Sequence, residues 1–309
     1  LNILLAIIIL TIGLAFLVGG ADILVRAAAS LARRVGVSEF VVGVTVVAFG
    51  TSAPELFASV GAVLQDQPEL AVGNVVGSNI ANILLILGAG GVIAPIAMQR
   101  RVRTTEIPIM AGITAIAMAL MLDQSLGRIE GGLLIAGLVA YVIYTVRVGG
   151  VDPTEDLPPQ TGSLWIDALL VLGGIIALGI GTRAVVLGAV TIAETLGVPE
   201  GIIGLTIVAF GTSLPELAAT VRAALARKSD IAVGNIVGSN IFNLLSVLGI
   251  AATVVPITIG SAMDWHLYAM GAVTIIFVGI ALARPVIGRW IGLGFLAAYL
   301  VYVILAYQP

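Results

Sequence analysis

The sequence predicts an all-α membrane protein: ten transmembrane helices as two inverted-topology five-helix repeats. Three observations predict it: the composition, the number of long apolar stretches, and an internal match at constant offset. Of 309 residues, 60 % are hydrophobic and 10 % charged, with a mean hydropathy of +1.17. Soluble domains carry about 25 % charged residues, so the solvent for most of this chain must be lipid. There is no cysteine, which excludes disulfides and thiolate metal sites, and a net charge of −3 without a basic run excludes a nucleic-acid partner. Leu1 onward is apolar without a positive n-region and reads as a first membrane helix, not a signal peptide.

A membrane helix needs about 20 mainly apolar residues. Ten such stretches fall at 2–30, 38–64, 70–96, 104–122 and 129–147, then 163–191, 199–226, 231–256, 264–283 and 286–306. The polar segment 151–162, with Asp152, Glu155, Asp156 and three prolines, reads as a cytoplasmic linker between repeats at 1–150 and 163–309. If the spans alternate, Arg33, Arg34, Arg100, Arg101, Arg103, Arg147, Arg227, Lys228, Arg284 and Arg289 share one side, and Arg128 is the only cation on the other. The basic side is expected to be cytoplasmic, with both termini outside.

Residues 36–88 match 197–249 at an offset of 161, with 31 identities in 53 positions and no gap. A unit of five spans is odd, so its second copy enters the membrane from the opposite side. Inverted repeats of this kind underlie many alternating-access transporters.

Identity concentrates on polar residues. AFGTSAPE at 48–55 recurs as AFGTSLPE at 209–216, each in the middle of an apolar span. Pro54 and Pro215, with Gly50 and Gly211, should interrupt these helices and free carbonyls around Ala48 and Ala209. Irregular backbone at that depth is tolerated only beside protein or a water-filled cavity. Thr51 and Glu55, four apart, share a face. A mid-membrane carboxylate is costly and points to function; Glu55 and Glu216 have no Lys nearby in sequence, so a cation is their natural partner.

The next span of each half carries GNVVGSNIAN at 73–82 and GNIVGSNIFN at 234–243. The GxxxG steps allow close helix approach. Asn74, Ser78 and Asn82 form one stripe, and Asn235, Ser239 and Asn243 another. Asn74, Asn79, Asn235 and Asn240 are expected to serve only hydrogen bonding between helices. Carboxylate, amide, hydroxyl and carbonyl oxygens suit Ca2+ and not soft or imidazole-bound metals. His266, the single histidine, is expected in an external loop at the surface. Asp22 and Arg183, equivalent under the offset, are read as a charge pair, gate groups or snorkelling residues.

These paired motifs resemble the Ca2+/cation antiporter superfamily, and within it the prokaryotic Na+/Ca2+ exchangers, including the potassium-dependent exchanger-like branch. The resemblance covers essentially the whole chain. It implies four core helices around the ion sites and two long helices, the first of each repeat, that slide across them. It carries ion ligation to Glu55 and Glu216 as carboxylates, to Thr51 and Thr212, to the carbonyls of Ala48 and Ala209, to Ser52, Ser213, Ser78 and Ser239, and to Asn82. Asn243 stands where several exchangers have Asp, which removes a carboxylate and opens the stoichiometry and proton coupling. The expected cargo is Ca2+ and Na+, with H+ or K+ as further candidates and no cofactor. Nothing in the ligand set requires a second subunit. A Ca2+/H+ antiporter is the main alternative, a cation channel a lesser one. An intramembrane enzyme is disfavoured by the lack of HExxH, Cys or a Ser-His pairing.

Overall fold

The computed structural model describes residues 2–148, 163–196 and 209–306, and these are almost entirely helical. The linker 151–162 and the first part of the expected seventh span lie outside the described residues. In chain order the helices are α1 (Ile3–Val35), α2 (Glu39–Thr51), α3 (Ala53–Leu64), α4 (Pro68–Ile93), α5 (Ile107–Leu120) and α6 (Arg128–Val148). They continue with α7 (Leu164–Thr195), α8 (Ala209–Thr212), α9 (Leu214–Leu225), α10 (Ser229–Val254), α11 (Asp264–Ala283) and α12 (Arg289–Ala306). Among the described residues, seven helices are long and apolar enough to cross a membrane, or eight if α2 and α3, bent by 44°, form one span.

Burial sorts the helices. The apolar residues of α4 and α10 are largely enclosed, whereas the others leave large side chains outside: Phe57 is 76 % exposed and Ile129 77 %. Such apolar surface on an apolar helix is a lipid-facing surface. Trp165, Trp265 and Trp290 lie within the first turn of α7, α11 and α12 and are exposed, the placement of interfacial anchors.

Two devices set the packing. The first is a face of glycines between α1 and α7. A Cβ on Gly13 would lie 2.7 Å from the Val185 nitrogen, one on Gly181 2.8 Å from the Leu17 nitrogen, and one on Gly188 2.7 Å from the Ala6 carbonyl. Only bare backbone allows helices this close. The Gly36 turn ends α1 in the left-handed region, φ 72°, a conformation that glycine adopts without strain. The second device is a pair of two-residue antiparallel ladders just past helix ends. Strand β1 (Ile96–Ala97) pairs with β4 (Val286–Ile287), and β2 (Ser125–Leu126) with β3 (Ile257–Thr258). The ladders tie the first half of the chain to the second. The expected tenth span from 286 begins as β4, so its helix starts only at Arg289.

Ion pairs gather where the expected cytoplasmic loops lie. Lys228 (2.6 Å) and Arg33 (3.5 Å) both reach Glu39, and Arg34 pairs with Asp167, which also accepts from Ser30 at 2.7 Å. Asp22 and Arg183 are not a pair: Asp22 holds Arg222 and Arg26, while Arg183 is exposed, because the long arm of Arg222 on α9 reaches the face of α1 that carries Asp22. His266 lies not in a loop but in the first turn of α11, half-buried, with Nδ1 3.0 Å from the Tyr302 hydroxyl.

Candidate functional site

The chain breaks its helix where Pro and Gly predict. Ser52 leaves helical geometry (φ −82°, ψ 4°) and Ser213 does the same (φ −86°, ψ 3°), each followed by a helix with Pro in its first turn. Glu55 and Glu216 therefore stand in the first turns of α3 and α9, at the positive end of each helix dipole, and each is 1 % exposed.

The carbonyl expected to be free at Ala48 is engaged. It accepts from the Ser52 N–H at 2.9 Å and from Thr51 Oγ1 at 3.3 Å, because α2 closes its last turn before the break. In the second half the Ser213 N–H donates to the Phe210 carbonyl at 3.2 Å. The Ala209 side chain lies outside the described residues, and Thr212 is half-buried.

Each carboxylate is held across the halves. Ser52 Oγ donates to Glu216 Oε1 at 3.0 Å, and Ser213 Oγ donates to Glu55 Oε1 at 3.5 Å. Behind them, Asn74 Nδ2 donates to the Glu55 carbonyl (3.2 Å) and to Ser59 Oγ (2.9 Å). Asn235 repeats this with the Glu216 carbonyl (3.3 Å) and Thr220 Oγ1 (3.0 Å), and its Oδ1 accepts from Thr51 at 3.1 Å. These two asparagines brace the helix breaks, the role expected of them.

The GxxxG step of α10 gives α2 its close seat. A Cβ on Gly238 would fall 2.5 Å from the Val44 carbonyl, and one on Gly234 2.8 Å from the Phe40 carbonyl. This brings Asn235 against the end of α2, where Thr51 reaches it. In α4, no described atom lies within 4 Å of a Cβ on Gly77, and the segment the offset would place there falls outside the described residues.

Asn82 and Asn243 open π-helical turns, Asn82–Leu87 and Asn243–Val247, that interrupt α4 and α10 at the same place. Such single turns are frequent at functional sites. Sequence spacing gave no sign of them, because it assumes a continuous 3.6-residue period.

Five buried oxygens of the predicted set make no close hydrogen bond: Glu55 Oε2, Glu216 Oε2, Asn82 Oδ1, Asn243 Oδ1 and Ser239 Oγ, the last beside the Glu216 side chain. Buried polar atoms are nearly always satisfied, so each calls for an explanation. Ser52, Ser213 and Ser78 are buried too; the Thr51 hydroxyl hydrogen is shared between Asn235 Oδ1 and the Ala48 carbonyl, which leaves the lone pairs of its oxygen able to ligate. Among the described residues no Lys or Arg forms an ion pair with either glutamate, and no cluster of three His, Cys, Asp or Glu exists. Two carboxylates with amide and hydroxyl oxygens are a hard-oxygen set. It fits an alkali or alkaline-earth cation, and lacks the imidazole or thiolate of a transition-metal site.

An all-helical membrane protein with paired carboxylates and unpaired oxygens in its core is, as a class, a cation transporter. The chain belongs to the sodium/calcium exchanger family: the model of that family, described as "Sodium/calcium exchanger protein", matches residues 5–147 and 166–308. The chain is 38 % identical to the inner membrane protein YrbG of Escherichia coli, over 98 % of this chain and 97 % of that one. It is 30 % identical to the sodium/calcium exchanger MaX1 of Methanosarcina acetivorans, over 97 % and 98 %. A solved structure of the sodium-calcium exchanger NCX_Mj superposes with a TM-score of 0.89 at 30 % identity, covering 99 % of this chain and all of that one. The family consists of membrane exchangers of Ca2+ and Na+, not enzymes.

Proposed function

We propose that this chain exchanges Ca2+ for Na+ by alternating access, on ten spans arranged as two inverted five-helix repeats, 1–150 and 163–309. The ions bind midway along the second, third, seventh and eighth spans: α2–α3, α4, α8–α9 and α10. The observation that carries this reading is the set of five oxygens without a close hydrogen bond, contributed by both halves. Paired features at the offset of 161 support the repeat: the two helix breaks, the two bracing asparagines, the two π turns and the crossed strand ladders.

Glu55 and Glu216 balance one Ca2+ or two Na+, so the two cargoes compete. Ser52, Ser213, Ser78, Ser239, Asn82, Asn243, Thr51, Thr212 and the Ala48 and Ala209 carbonyls complete the ligand set carried by resemblance, with the Ala48 carbonyl committed to other bonds in this conformation. With the site empty, bare carboxylates make a crossing costly. With it loaded, α1 and α7 shift across the core. Na+ entering down its gradient drives Ca2+ out. The protein sits in a prokaryotic plasma membrane with termini outside and the linker in the cytoplasm, and works as a monomer.

One observation favours a second reading, Ca2+/H+ exchange: Asn243 leaves only two carboxylates to carry charge. Uptake of 45Ca2+ into proteoliposomes loaded with Na+, against matched vesicles loaded with choline at equal pH, separates the two. Uptake that requires internal Na+ supports sodium coupling. Equal uptake in both, driven instead by a pH gradient, overturns it in favour of protons.

A further inference from the structure

An asparagine amide has two ends of similar shape, and only its oxygen can face a cation. In Asn82 the nitrogen end is taken: Nδ2 donates to Asn240 Oδ1 at 3.2 Å. In Asn243 it is taken likewise, by Asn79 Oδ1 at 3.1 Å. These are the bonds that leave Asn82 Oδ1 and Asn243 Oδ1 buried without a partner. Each bond crosses between the halves, from α4 to α10.

Asn79 and Asn240 are themselves held in one orientation. Asn79 Nδ2 donates to the Asn240 carbonyl at 3.3 Å and faces the Met270 sulfur at 3.8 Å. Turning this amide over would set its oxygen against a carbonyl oxygen. Asn240 Nδ2 faces the Met110 sulfur at 3.6 Å, a weaker acceptor. All four asparagines are at most 2 % exposed, so water does not supply substitute bonds.

We infer that Asn79 and Asn240 are positioning residues which, each across the halves, fix the amide of Asn243 and Asn82 with its oxygen toward the bound cation. This rests on reading the central oxygens as a cation site. Groups that orient a ligand from behind commonly change metal affinity by about 10–100-fold when removed. The hold on Asn79, by a carbonyl, is firmer than that on Asn240, by a thioether.

Equilibrium 45Ca2+ binding to the purified full-length protein tests it. Asn79→Leu should weaken Ca2+ binding by about 10–100-fold, and should cost nothing further in an N243D background, since a carboxylate presents oxygen either way round. Asn240→Leu should be relieved by N82D and not by N243D. Met110→Leu, which keeps volume, should weaken binding mildly and be relieved by N82D; it carries the test should N79L and N240L not fold. The same loss in both backgrounds, or relief by the wrong partner, means a merely structural role and overturns the inference. Wild type that binds Ca2+ beside an N79L that binds equally well also overturns the inference alone. Wild type that binds no Ca2+ overturns the cation-site reading and the inference with it.

Discussion

Replacing Asn235 by leucine, similar in size but without polar atoms, should destabilise the second helix break more than the same change at Asn74 destabilises the first. Asn235 is fully buried and makes three bonds, to Thr51, Thr220 and the Glu216 carbonyl. Thr51 keeps its bond to the Ala48 carbonyl, and the Glu216 carbonyl lies in the first turn of α9, where the helix supplies a partner. The full loss therefore falls on the buried Thr220 hydroxyl. With the weakened second bond at Glu216, the cost is about 2–3 kcal/mol. Asn74 makes only the two matching bonds, to Ser59 and the Glu55 carbonyl, is itself half-buried, and leaves Ser59 with its bond to the Ala71 carbonyl, so the cost is about 1 kcal/mol. Unfolding of both variants in one detergent, followed by tryptophan fluorescence, reads the ranking. An N74L as unstable as N235L, or more so, refutes the reasoning, because burial would then not decide the cost.

Three further outcomes are expected. Glu55→Gln and Glu216→Gln should each abolish 45Ca2+ exchange while leaving the protein folded; wild-type exchange in both would sink the carboxylate assignment. Ser52→Ala removes a 3.0 Å bond to Glu216 and Ser213→Ala a 3.5 Å bond to Glu55; a bond to a charged group contributes about 1.5–3 kcal/mol, so S52A should lower Ca2+ affinity about tenfold and more than S213A, measured by ion-dependent thermal protection. On α1, Gly13→Ala drives a methyl into the backbone of α7 and should reduce folded yield, whereas Gly19→Ala meets nothing within 4 Å and should be neutral or slightly stabilising by its helix propensity, as size-exclusion profiles would show.

The helices, the break and its carboxylates were legible because each has a local cause. Pro54 and Pro215, each with a glycine four residues before it, mark the break, and an apolar run of membrane length announces itself. The amide chain through Asn79 and Asn240 was not legible. It depends on α4 meeting α10, and nothing in either segment says which amide end faces which neighbour. Ala48 shows the limit of local argument from the other side: Pro54 takes away the donor of the Gly50 carbonyl, four residues before it, whereas the Ala48 carbonyl keeps the Ser52 N–H because α2 winds on to Thr51. Of the three readings open for Asp22 and Arg183, the structure removes the charge pair, because equivalence under the offset is not contact; the residue that reaches Asp22, Arg222, has no charged counterpart in the first half, where Gly61 stands.

Because Ser52 of one half holds Glu216 of the other, and Ser213 returns the bond to Glu55, a bound ion would act as a rivet between the two halves. By mass action, a ligand present at 100 times its dissociation constant stabilises the state that binds it by about 2.7 kcal/mol. That stabilisation falls on the seam between the halves, not on either half alone. The two halves expressed as separate chains should therefore associate more tightly as the ion concentration rises, so that one titration reports both the affinity of the site and the cohesion of the molecule.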